Sequence, residues 1–263
     1  MFYKMIERKM NDWYKSSDCT VNDLIEYIVS TNQLRDAQIE AIRIYLFLKI
    51  ACNNKPLYEL FCNGAFNNLD ITELELRNSF KEFLSTNPAA AALFEYATLK
   101  NDAGEQVSSQ IEQQMKEHPQ SIDYWRFFKD VFYNVTYTDY LFSLPMGAGK
   151  TYLMAAFIYL DFYFANNERN NTSFAHNFII LAPSGLKTSV IPSLKTIQNF
   201  DPSWVIPEPA ATNIKRLMIF EVLDQVKTDK KSNKIKNPNV QKIAKHQPLN
   251  ELFGLVAVTN LHG

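Results

Sequence analysis

Leu144-Pro145-Met146-Gly147-Ala148-Gly149-Lys150-Thr151 is the stretch whose reading decides the fold. Two of the chain's seven glycines stand here, one residue apart and directly before a lysine and a threonine. Glycine lets a backbone turn its N–H groups inward around an anion with no side chain in the way. Lys150 then reaches the outer phosphates of a nucleotide as a point charge, and the Thr151 hydroxyl holds a magnesium ion. The general phosphate-loop pattern, G-x-x-x-x-G-K-[ST], has a glycine where this chain has Leu144. The expected nucleotide-binding residues are thus Pro145, Met146, Gly147, Ala148, Gly149, Lys150 and Thr151. Lys150 and Thr151 are the expected catalytic residues, and Thr151 the metal ligand.

The flanks suit such a loop. Asp139–Leu144 is a short apolar run rich in aromatics, which predicts a buried parallel strand. Tyr152 to Ala165 is apolar over several turns and predicts a helix beneath a sheet, its positive end at the loop. Asn177–Pro183 is a continuous apolar run and predicts a further strand, followed by Ser184, Gly185 and Lys187. Near the end, Gly254–Val258 predicts another strand, leading into Thr259 and Asn260.

These segments together resemble the DEAD/DEAH-box family of superfamily 2 helicases, and most closely the restriction (Res) subunit of type III restriction enzymes. Pro145-x-Gly147-x-Gly149-Lys150-Thr151 is similar to the family's motif I, and the strand ending in Ala182-Pro183 to its motif Ia. Gln33–Ile42 looks like the "L-R-x-x-Q-x-x-A" segment that precedes motif I. The resemblance implies that Gln38 reads the adenine ring, with Arg35 in support; a carboxamide offers both the donor and the acceptor that this edge needs. It also implies that Pro183, Ser184, Gly185, Lys187, Thr259 and Asn260 contact a nucleic-acid strand. ATP and Mg2+ are the implied cofactors. DNA rather than RNA is the implied partner, with a methyltransferase or other restriction subunit beside it. The implied fold over 137–263 is α/β, the N-terminal part of a RecA-like parallel sheet with helices on both faces. Gln38 stands far upstream of Gly147, so a helical insertion over 50–136 is expected to loop out between them.

That insertion reads as helical. Thr72-x-x-Glu75 predicts a capping box opening a helix through about Leu84, and Pro88 predicts another helix start. Pro56–Phe61 predicts a short helix, and the aromatic spacing of Tyr124–Phe132 one with a buried face. Lys100–Glu105 predicts a loop. Residues 1–136 are thus expected to form a mainly helical region.

Charge is divided unevenly. Residues 1–140 carry 14 Lys+Arg against 20 Asp+Glu, and residues 141–263 carry 13 against 8. The basic half holds the loop, which is compatible with polyanion binding. Lys227, Lys230, Lys231, Lys234, Lys236, Lys242 and Lys245 fall in one polar stretch, expected to be a solvated loop that meets nucleic acid only through phosphates. Cys19, Cys52 and Cys62 have no metal spacing and make no even disulfide set. The N-terminus lacks a signal peptide's apolar core, and the most apolar stretch is too short to span a bilayer; a cytoplasmic protein with no membrane partner is expected.

A motor ATPase of this family needs an Asp-Glu-x-[His/Asp] motif to hold magnesium and position the attacking water. No Asp-Glu dipeptide occurs in the 263 residues. The expectation is therefore an ATP-dependent DNA helicase or translocase cut before that motif, the chain alone being inactive. The alternatives are another phosphate-loop NTPase or a non-hydrolysing scaffold that binds nucleotide or nucleic acid.

Overall fold

A computed structural model describes residues 1–182, 192, 195–223, 243, 245–248 and 251–260. It is an α/β structure in which helices far outweigh a small parallel sheet. The chain divides into two compact units, and the division is not linear. One unit joins Met1–Thr20 to Arg43–Ser143; the other joins Val21–Ile42 to Leu144–Gly263.

The first unit is helical. It contains α1 (Phe2–Lys15), the second half of α3 (Asp36–Ile50), α4 (Leu57–Cys62), α5 (Asn78–Thr86), α6 (Pro88–Thr98), α7 (Ser109–Glu117) and α8 (Tyr124–Val131). Its core is aromatic, and Phe61 lies at the hub. The Phe61 ring stacks on Phe128 at 5.4 Å and on Phe132 at 5.5 Å, and meets Phe66 edge-on at 4.8 Å. Such pairs add to area burial when offset-stacked or edge-to-face. α6 passes through this core because Ala89–Ala92 are small enough to be buried on every side. Its start is set by Asn87, whose side chain accepts from the Ala90 N–H at 3.0 Å, with Pro88 in the first turn. Buried Glu95 on α6 pairs with Arg8 of α1 and also accepts from the Asn68 N–H at 2.8 Å.

Two expectations fail in this unit. Thr72 caps no helix: its N–H and hydroxyl both turn back to the Asp70 carboxylate, at 3.0 and 2.5 Å, and helix begins only at Asn78. A local Asx turn has outcompeted the capping box, as short polar side chains allow. Asp139–Leu144 is not a strand either. Its aromatic residues go to the helical core instead: Tyr140 and Phe142 pack against it, the Tyr140 hydroxyl donates to the Lys55 carbonyl at 3.0 Å, and Leu141 is left 89% exposed.

The second unit contains α2 (Asn22–Ser30), the start of α3, α9 (Lys150–Asn167), α10 (Ala210–Leu217) and three strands, β1 (Phe178–Ala182), β2 (Ile219–Val222) and β3 (Leu255–Asn260). Among the described residues the three strands pair in parallel in the order β1-β3-β2. Phe178 pairs with Val256 and Ile219 with Leu255. β3 is central and apolar, with Leu255 to Val258 buried, as a strand covered on both faces requires. α9 matches the predicted helix and is buried around most of its circumference. It accommodates Asp161 because that carboxylate accepts from the Ala175 N–H at 2.9 Å, fixing the turn before β1. Gly254, at φ +90°, opens β3; a Cβ there would stand 2.6 Å from the Leu217 carbonyl oxygen and 2.9 Å from the Phe162 ring. Among the described residues no helix is long and apolar enough to cross a membrane.

Candidate functional site

The glycine loop is built in two steps. Pro145 to Ala148 form a tight turn, closed by the Ala148 N–H on the Pro145 carbonyl at 3.3 Å. Its third position needs positive φ, and Gly147 supplies it at +80°. Met146 rides the tip, 97% exposed. Gly149 then adopts φ +75° and serves as the N-cap of α9, its carbonyl accepting the first helical bond from the Leu153 N–H at 3.1 Å. Among the described residues no side chain caps this helix. The first-turn N–H groups of a helix have no partners within it, so here they face the loop together with the positive end of the helix dipole. Lys150 is exposed at that end and Thr151 half-buried behind it.

The upstream segment reaches this loop directly. The Arg35 guanidinium donates to the Gly147 carbonyl. The Gln38 side-chain amide donates to the Gly149 carbonyl at 3.0 Å, and its oxygen accepts from the Arg35 N–H at 2.9 Å. Gln38 is only 4% exposed. One carboxamide thereby ties the start of α3 to the start of α9 across 111 positions of sequence. A Cβ on Gly149 would stand 2.7 Å from the Gln38 nitrogen, so the missing side chain is what lets the clamp close. Two cationic groups, Arg35 and Lys150, flank a loop whose backbone offers further donors. That donor set fits a phosphate chain.

The remaining expected residues fall elsewhere. Pro183, Ser184, Gly185 and Lys187 lie outside the described residues, as do Lys227, Lys230, Lys231, Lys234, Lys236 and Lys242. Thr259 and Asn260 form the carboxyl end of β3, in register with Leu181 and Ala182. The carboxyl ends of β1 and β3 therefore lie side by side at one end of the parallel sheet. Among the described residues no cluster of three His, Cys, Asp or Glu side chains could hold a metal ion. In the sequence, Trp204 and Phe200 gave no sign that they pack beside α9, because neither belongs to a motif. The signal that could have placed them is the aromatic character of Tyr152 and Tyr159, one α-helical face of α9.

Compared with known proteins, the chain matches no family model, no curated protein and no solved structure.

Proposed function

We propose that this chain is the nucleotide-binding part of an ATP-driven DNA helicase or translocase of the RecA-like class, working in a restriction or phage-defence system in the cytoplasm. The observation that carries the reading is the loop Gly147–Thr151: two left-handed glycines, an uncapped helix start and an exposed lysine, clamped by Arg35 and Gln38. ATP would lie with its phosphates on this loop, Lys150 on the outer phosphates and Thr151 on Mg2+. Pro183–Lys187 and Thr259–Asn260 would meet a DNA strand through its phosphates.

Replacing Lys150 by alanine tests the reading. Charge-assisted hydrogen bonds contribute about 1.5–3 kcal/mol, so ATP binding by equilibrium dialysis should weaken about ten- to a hundredfold. The unfolding midpoint should not move, because Lys150 is exposed. Unchanged ATP affinity would sink the proposal. Lys187→Ala should weaken DNA binding and leave ATP binding alone; equal loss of both counts against separate roles.

A second reading is kept because no Asp-Glu pair occurs in the chain. In it, the loop binds nucleotide without hydrolysis and the protein acts as a scaffold. ATP turnover by the full gene product, abolished by Lys150→Ala, decides for the motor; binding without turnover decides for the scaffold.

A further inference from the structure

Four aromatic rings gather around the first turns of α9. Tyr159 and Phe200 are buried and stack at 5.6 Å, as core residues do. Trp204 meets Phe200 edge-on at 5.2 Å. Tyr152 differs from the others. Its ring is stacked on Trp204, with centroids 5.8 Å apart and planes 11° from parallel, yet it is 45% exposed.

Exposure of a tyrosine is ordinary in itself. The position of this one is not, for Tyr152 directly follows Thr151 in the first turn of the helix that the glycine loop opens. Trp204 is fixed from a second direction. Its carbonyl accepts from the Thr31 hydroxyl at 3.3 Å, and the neighbouring Ser203 carbonyl accepts from the Tyr27 hydroxyl at 2.5 Å. Thr31 ends α2, and a few residues on come Arg35 and Gln38, which hold the loop. One short segment, 31–38, therefore braces both the aromatic pair and the phosphate loop.

We infer that Tyr152, backed by Trp204, is the platform on which the base of a bound nucleotide stacks, and that the nucleotide is a purine triphosphate chosen by ring area. This rests on reading Gly147–Thr151 as the phosphate site. Gln38 has already engaged one amide N–H and one oxygen lone pair within the protein and is buried, so it is a positioning residue for the loop. Stacking needs no hydrogen-bond code, because every base offers a π face. GTP should accordingly bind within a few-fold of ATP, and UTP more weakly.

The experiment titrates the full chain with Mg2+ and either ATP or inorganic tripolyphosphate, in calorimetry, for wild type, Tyr152→Ala and Tyr152→Phe. Loss of one base-stacking partner should weaken ATP binding by Tyr152→Ala about five- to a hundredfold. Tripolyphosphate should bind that variant as it binds wild type, which also shows that the variant is folded, and Tyr152→Phe should restore ATP. If wild type binds both ligands and Tyr152→Ala weakens neither, or weakens both equally, the platform is wrong and the phosphate loop stands. If wild type binds neither ligand, the loop reading fails and the platform falls with it.

Discussion

Phe61 and Gly149 hold comparable places in the two units, since each is the residue around which its neighbours are arranged. They do so by opposite means. Phe61 fills space: four aromatic rings lie within 5.5 Å of its own, centroid to centroid. Gly149 leaves space empty: without a Cβ, it lets the Gln38 amide reach its carbonyl, and its left-handed backbone starts α9. The first unit is organised by side-chain volume, which shows in stability. The loop of the second is organised by backbone conformation, which shows in what the backbone can bind. Substitutions that separate these two properties test whether the distinction holds.

The largest expected effect is on the filled side. Phe61→Ala should lower unfolding free energy by about 3–5 kcal/mol in denaturant titrations, as large-to-small changes in cores do. Phosphate binding by the folded protein should be unchanged; a parallel loss of tripolyphosphate affinity would break the comparison. Gly254→Ala comes next, because positive φ and an approach to a backbone carbonyl that cannot yield act together. It should cost about 2–3 kcal/mol. Gly149→Ala should cost less, about 1–2 kcal/mol, since its Cβ meets the end of a flexible side chain. It should nevertheless lose most phosphate binding, reversing the ranking seen for Phe61. Asn87→Ala, which removes the cap of α6, should cost about 1 kcal/mol and leave phosphate binding untouched. Least disruptive is a chemical probe. Burial pushes the Cys52 and Cys62 thiols up to about 12, so at pH 8 a maleimide should label the native chain only at the more accessible Cys19. Rapid labelling of Cys52 or Cys62 would mean that the aromatic core opens readily.

What the sequence made legible follows the same divide. Helix α9 and strands β1 and β3 were readable because each is a continuous apolar run bounded by turn residues, and α6 because Pro88 carries its own start signal. The glycine loop was readable because few residues tolerate its conformation. β2, four half-buried residues, was passed over because Glu221 interrupts the apolar run Leu217–Leu223. Asp139–Leu144 had the composition of a strand, but its side chains find a better partner in the helices than its backbone finds in a sheet. Thr72 and Glu75 stood at capping distance, but Asp70 two residues away competes for the same hydroxyl, and that competition is local chemistry that spacing does not report. Of the site, residue types and order were visible. The bond from Gln38 to Gly149 was not, because contacts so distant in sequence leave no periodic trace.

The strand order β1-β3-β2 has a consequence for how the protein is made. Among the described residues β1 and β2 are not partners; each pairs with β3, which the ribosome delivers after them. During synthesis the edges of β1 and β2 that β3 will occupy wait for it, a condition in which nascent chains are open to aggregation and to chaperones. Pairing of these three strands is then a single late event, in which one strand makes two sets of long-range contacts at once.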